Sequence, residues 1–225
     1  MSEKTRIKIF TDRYPLIGPS VWILSIQYFV VQIIVALHYT PTYSVRFNTI
    51  SDLGNTVCGI YSGRVVCSPL HNLMNASFIV VGLTMTLGSV LIYQEFKQNQ
   101  RTFIGFSCMA LAGLGTIIVG LFPENTVSQL HILGATLPFL IGNIGLVVLG
   151  LSLNIPRIFR YYTILSGGVA LIALAFFYTN HYGSLGIGGT ERVVAYPQTI
   201  WLIVFGIYLS KSRFKTLLNN FSSAT

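Results

Sequence analysis

The run His71–Tyr93, HNLMNASFIVVGLTMTLGSVLIY, contains no Asp, Glu, Lys or Arg. A hydrocarbon core about 30 Å thick needs roughly 20 such residues in a helix rising about 1.5 Å per residue, so this run is long enough to cross one. Working outward from it, five more runs of the same kind appear, and the six spans read as about 19–38, 71–93, 102–122, 130–152, 161–179 and 194–210. The composition agrees. Of 225 residues, 52% are apolar and only 9% charged, against about a quarter charged in soluble domains. The expected fold class is all-α: a polytopic integral membrane protein with six transmembrane helices in a single domain, 1–225. No internal repeat, linker or second domain is visible.

A net charge of +8 could suggest nucleic acid, but the placement of the charge argues against that partner. Lys4, Arg6, Lys8 and Arg13 precede span 1, Lys97 and Arg101 follow span 2, Arg157 and Arg160 follow span 4, and Lys211, Arg213 and Lys215 follow span 6. All of these fall on one side of a six-span chain, leaving Arg46, Arg64 and Arg192 on the other. The positive-inside rule then puts both termini in the cytoplasm and the protein in the cell (plasma) membrane as a multi-pass chain. Span 1 is too long for the apolar core of a signal peptide and carries Gln27 and Gln32, so it reads as a retained helix. Trp22 near its inner end, with His38, Tyr39 and Tyr43 near its outer end, fits an interfacial aromatic belt.

Residues 40–69 form the longest loop. Within it, Cys58 and Cys67 flank GIYSGRVV, and a two-residue turn at Ser62-Gly63 pairs 61 with 64, 60 with 65, 59 with 66 and 58 with 67. That register brings the two cysteines close enough for a disulfide, which persists on an external face. Cys108, inside span 3, reads as a buried apolar residue. Ser68-Pro69 has the look of a helix start, a capping hydroxyl followed by proline at the first helical position. Asn75-Ala76-Ser77 matches a glycosylation sequon but lies within a span. Gly105, Gly113, Gly115 and Gly120 in span 3 suit close helix packing. His131, Ala135, Pro138 and Gly142 share a face of span 4, which predicts a kink or tight packing there. Asn143, deep in the same span, needs an internal partner. The third loop, with Gly183, Gly186, Gly188 and Gly189, reads as flexible or as a place of close backbone approach.

All four histidines and three of the six acidic residues (Asp52, Glu124 and Glu191) fall at the outer ends of spans. Spans 2, 4 and 6 also begin there, so three helix dipoles present their positive ends to that face, favouring an anionic headgroup and neutral imidazole. The catalytic candidates are Asp52, His71, His131 and Glu191. Candidates for binding substrate are Asn75, Glu124, Arg192 and Tyr196, and together these residues are expected to line a polar outer-face pocket. Zinc held by His71 and His131, with one or two of Asp52, Glu124 and Glu191, is one possible cofactor. Equally, each histidine could serve as a helix cap or interfacial residue, and Asp52 could pair with Arg192 or Arg46 simply to tie the first and third loops together. Ser51 and Asp52 would also cap a local turn ending at Gly54. No Walker A, GxSxG or GxGxxG pattern is present.

The segments NTISDLGN, CSPLHNLMNASF, GLFPEN with the following His131, and GGTERVVAYPQTIW resemble a prokaryotic six-span membrane family, domain of unknown function 998, over nearly the whole chain. The ISDLG motif before a helix is also distantly similar to the eukaryotic autophagy-modulator and GPI-lipid-remodelling six-span group. The resemblance implies a helical membrane fold and a connection to lipid, and transfers no catalytic residue. The expected function is recognition or processing of a lipid or amphiphile headgroup, with membrane lipid as the partner. The alternatives are a non-catalytic membrane scaffold or sensor and, third, a small-solute transporter.

Overall fold

A computed structural model describes residues 3–97 and 99–222, with side chains over 7–97 and 99–214. The side chains of Lys4, Arg6 and Lys215, three of the basic residues counted above, lie outside the described set. A polar helix α1 (Glu3–Arg13) leads into six long apolar ones: α2 (Ile17–Leu37), α3 (His71–Tyr93), α4 (Gln100–Leu121), α5 (Ser128–Ser152), α6 (Arg157–Tyr178) and α7 (Gly186–Ser222). Each of the six is long and apolar enough to cross a membrane. A two-stranded hairpin, β1 (Gly59–Tyr61) and β2 (Arg64–Val66), is the only sheet among the described residues. This is a polytopic, six-span membrane architecture. Large apolar side chains such as Leu37, Ile158, Leu165 and Ile172 point outward, as expected of surface meant for lipid.

Within lipid, apolar contact alone does little to hold helices together, so packing depends on how closely the backbones approach. The span-3 glycines serve that end. A Cβ on Gly113 would lie 2.5 Å from the Gly82 carbonyl of α3, and one on Gly115 would lie 2.4 Å from the Gly134 carbonyl of α5. Helix α5 widens into a π turn over Leu137–Gly142, containing Pro138, where the sequence placed a kink or tight packing. Asn143 follows, fully buried, its amide donating to the Val194 carbonyl of α7 at 3.1 Å.

Three details differ from the sequence reading. Trp22 belongs to no interfacial belt: it is fully buried between Phe106 and Trp201, and Tyr39 is buried too. Its ring is wanted by the core, because Gly88 of α3 leaves a slot that a Cβ would fill at 2.2 Å. Helix α3 starts at His71 with Leu70 at its N-cap, while the Ser68 hydroxyl instead donates to the Leu53 carbonyl at 2.6 Å. Helix α7 starts at Gly186, so Thr190, Glu191 and Arg192 sit inside it, one turn below its start. Gly188 lets that first turn press against the first loop, since a Cβ there would meet the Asn48 carbonyl at 2.1 Å. Close approach, rather than flexibility, is what this glycine provides.

The hairpin has the expected register, Gly59 with Val66, Ile60 with Val65 and Tyr61 with Arg64, and Cys58 and Cys67 form the disulfide. Cys108 is free and half-buried. The long loop is not a fringe. Ile50, Leu53 and Val66 are buried in one cluster with Tyr28, Met74 and Phe78 of the bundle. Leaving water, each such side chain contributes about 1.5–3 kcal/mol. The loop is therefore a plug across one end of the bundle, called the loop face below.

Candidate functional site

The plug turns on the short 3₁₀ segment Ser51–Gly54. Thr49 and Asp52 cap it reciprocally: the Asp52 amide donates to Thr49 Oγ1 at 3.1 Å, and the Thr49 amide donates to Asp52 Oδ2 at 2.9 Å. Asp52 is fully buried and also receives Asn48 Nδ2 at 3.1 Å, Arg64 Nε at 3.0 Å and Arg64 Nη2 at 2.9 Å. Burial opposes its charge, but hydrogen bonds from Arg64, Glu124 and Asn48, together with the charge of Arg64, outweigh that and hold the carboxyl below its ordinary range. Its partner is Arg64 of the hairpin, not Arg192 or Arg46 as the sequence suggested.

Glu124, on the second loop, sits beside this pair. Burial first, and then the charge of Asp52, push its carboxyl from 4.5 up to about 9. At neutral pH it is therefore a neutral acid, able to donate to the Asp52 carboxylate, and it receives Asn55 Nδ2 at 3.3 Å. The same loop is held by Tyr61, whose hydroxyl donates to the Glu124 carbonyl at 2.7 Å, and by Asn125, paired with Thr56 through two bonds.

Arg192 is also committed to the protein. Its Nη1 donates to the carbonyls of Val45, Asn48 and Gly188 at 3.2, 3.1 and 2.7 Å, and Nη2 to the Tyr43 hydroxyl. Asn75 reaches from α3 to the Gly54 carbonyl at 2.9 Å, and a Cβ on Gly54 would strike its Oδ1. Tyr196 donates to Gln32 of α2 at 2.8 Å. These three residues, proposed from sequence as ligand contacts, bind the loop and helices to one another.

A second group lies against a cavity of about 50 Å³ within the bundle. Phe78, Val81, Val119, Ala135 and Pro138 line it with apolar surface, while Ser51 and Glu191 stand at its loop end. Ser51 Oγ lies 3.1 Å from His131 Nε2 and 3.3 Å from Glu191 Oε1. Glu191 Oε2 accepts the Ile50 amide, and His131 Nδ1 lies 2.9 Å from the Phe122 carbonyl. A carbonyl can only accept, so Nδ1 carries the ring proton and a neutral ring turns the lone pair of Nε2 toward Ser51.

His71 takes no part. Its Nδ1 donates to the Ser68 carbonyl at 2.8 Å, at the start of its own helix. Among the described residues no three His, Cys, Asp or Glu side chains gather to hold a metal ion, so the zinc set built on His71 and His131 is not assembled. The charged candidates thus separate into an Asp52–Arg64–Glu124 cluster and an Arg192 anchor, both turned toward the protein, and a Ser51–His131–Glu191 group of which Ser51 and Glu191 line the cavity. Sequence reading counted Arg64 only as a charge and Ser51 only as a turn cap. The Thr49-x-x-Asp52 spacing signals the reciprocal cap, but no local pattern marks Ser51 as the neighbour of a histidine 80 residues away.

Helix lengths, outward apolar side chains and the plugged loop face define a multi-pass membrane protein. Within that class, the chain belongs to the family described as "Protein of unknown function (DUF998)", which matches residues 23–208. No curated protein and no solved structure matches it.

Proposed function

We propose that this protein binds a lipid or similar amphiphile from the membrane around it, with the polar head at Ser51, His131 and Glu191 and the apolar part in the bundle cavity. The loop face is then the outer face of the plasma membrane and both termini are cytoplasmic, in keeping with the distribution of Lys and Arg. The observation that carries the reading is the cavity's lining: mostly apolar walls from α3, α4 and α5, with Ser51 and Glu191 at the loop end and Thr116, Gln198 and Thr199 the polar groups deeper in the bundle. At about 50 Å³ it holds a few waters rather than an acyl chain, so a chain entering it must displace wall side chains. The π turn carrying Pro138 is where α5 can yield.

The test is native mass spectrometry of the full chain released from mild detergent. A retained lipid mass is expected, and it should fall sharply in Ala135→Phe and Ala195→Phe, which fill the cavity. A bare mass from a folded wild-type chain would favour the second reading, a scaffold or sensor. That reading draws on one observation: Asp52, Glu124 and Arg192 all spend their polar groups on protein partners.

A further inference from the structure

We infer that Ser51 and His131 form a nucleophile–base pair for acyl transfer from a membrane ester, an inference that rests on the amphiphile-binding reading above. Several hydroxyls of the long loop are occupied locally. Thr49 Oγ1 accepts the Asp52 amide, Ser68 Oγ donates to the Leu53 carbonyl, and Ser44 Oγ accepts the Phe47 amide. Ser51 differs. Its Oγ meets a histidine ring nitrogen at 3.1 Å, and the residue lines the cavity where an ester at the head of an apolar chain would lie.

The ring is set up as a base by its far nitrogen. Nδ1–H donates to the Phe122 carbonyl, which fixes the tautomer and the ring plane and leaves Nε2 unprotonated toward the hydroxyl. A carbonyl takes the place that a carboxylate holds in many such arrangements. Glu191 is a positioning residue. By accepting the Ile50 amide it holds the turn that carries Ser51, and its other oxygen, 3.3 Å from Oγ, is a second acceptor for the single Ser51 proton beside His131 Nε2. His131 is 6% exposed, so the ring is shielded from bulk water, while Ser51 is only partly buried.

The chemistry balances with water as the only co-reactant. Oγ attacks the ester carbonyl carbon and its proton passes to Nε2. The carbon–oxygen bond to the alcohol then breaks, and the alcohol leaves with that proton. Water, deprotonated by Nε2, attacks the acyl-serine, releasing the carboxylic acid and restoring Ser51. An acceptor alcohol replacing water would give transfer instead of hydrolysis.

The probe is a long-chain alkyl fluorophosphonate, applied to the full chain in mild detergent and located by peptide mass spectrometry. The expected result is an adduct on Ser51, absent from Ser51→Ala and formed roughly 10²-fold more slowly in His131→Gln. Circular dichroism should show both variants folded, so that a lost or slowed adduct reports on the pair rather than on the fold. A folded wild-type chain without the Ser51 adduct overturns the proposal, as does an unchanged rate in His131→Gln. Retained lipid without an adduct removes the chemistry and leaves amphiphile binding standing, whereas a bare mass without an adduct removes both. If His131→Gln fails to fold, Ser51→Cys provides the second arm. Its thiol should react with an alkyl iodoacetamide roughly tenfold faster than Cys108, and equal rates overturn the pair.

Discussion

Arg64 holds Asp52 with two parallel hydrogen bonds, Nε to Oδ2 at 3.0 Å and Nη2 to Oδ1 at 2.9 Å, across only 12 residues of chain. The carboxylate is fully buried while the guanidinium keeps 16% of its side chain exposed. The hairpin therefore delivers a cation onto a buried anion at the centre of the plug. Arg64→Ala should cost about 3–5 kcal/mol, because it leaves a buried charge unpaired. Adding Asp52→Asn to Arg64→Ala should recover part of that loss. Thermal unfolding of the four proteins in one detergent measures the coupling, and strictly additive shifts would contradict it.

Glu124 gives a pH dependence whose sign is fixed. Its folded pKa lies above its ordinary 4.5, so from about 4.5 to about 9 the folded state retains a proton that the unfolded state has released. Stability contributed by this group is full below that window and declines as pH rises through it. Asp52 works in the opposite sense, since its pKa is lowered from 3.8 and its contribution is lost only in stronger acid. Melting temperature between pH 6 and pH 9 should therefore fall less in Glu124→Gln than in wild type. Parallel curves would mean that Glu124 is ionised at neutral pH.

The disulfide closes a short loop, with its cysteines nine apart in sequence, and should contribute roughly 2–3 kcal/mol. Cys58→Ser with Cys67→Ser, or a reductant, should lower the melting temperature and weaken the grip of Arg64 on Asp52. The Arg64→Ala penalty should accordingly shrink in the disulfide-free background. A thiol titration should count one free cysteine, Cys108, in the untreated protein.

Helix contact sets a further limit. Gly115→Ala forces a methyl group to within 2.4 Å of the Gly134 carbonyl, and α4 and α5 must separate to admit it. The expected cost is about 1–3 kcal/mol. Gly168→Ala is the control, because a Cβ there meets nothing within 4 Å. Similar melting temperatures for the two variants would show that the crossing is not tight.

Orientation can be read with a membrane-impermeant maleimide on intact cells, in a Cys108→Ala background. Ile60→Cys at the exposed hairpin should be labelled, and Lys211→Cys only after permeabilisation. The reverse pattern would invert the topology and move the candidate site to the cytoplasmic face.

The spans were legible because each is a local property of one apolar run, and the hairpin register because a two-residue turn leaves little choice of partner. The site was less legible, for reasons that particular residues make clear. Ser68-x-x-His71 and Ser128-x-x-His131 are the same local pattern at the starts of two helices. One ring faces its own backbone, and the other faces Ser51 from the next-but-one helix. The difference is the rotation of each helix about its axis, which packing decides and a four-residue motif does not encode. Asp52 likewise had three arginines on its side of the chain, and hairpin closure selects Arg64, the one that the sequence did not single out as its partner. Trp22 looked interfacial because its depth is readable from sequence, while the slot made by Gly88 is not.

The plug also bears on the order in which the protein is made. Ile50 is tied to Glu191 and Asn48 to Arg192, over separations of 141 and 144 residues. The first long loop to leave the ribosome thus finds its last partners only when the final helix has been synthesised. Until then its buried apolar and charged groups have no complete shelter. Contacts of such high sequence separation form late, so this loop, early in synthesis, is among the last parts of the molecule to be finished.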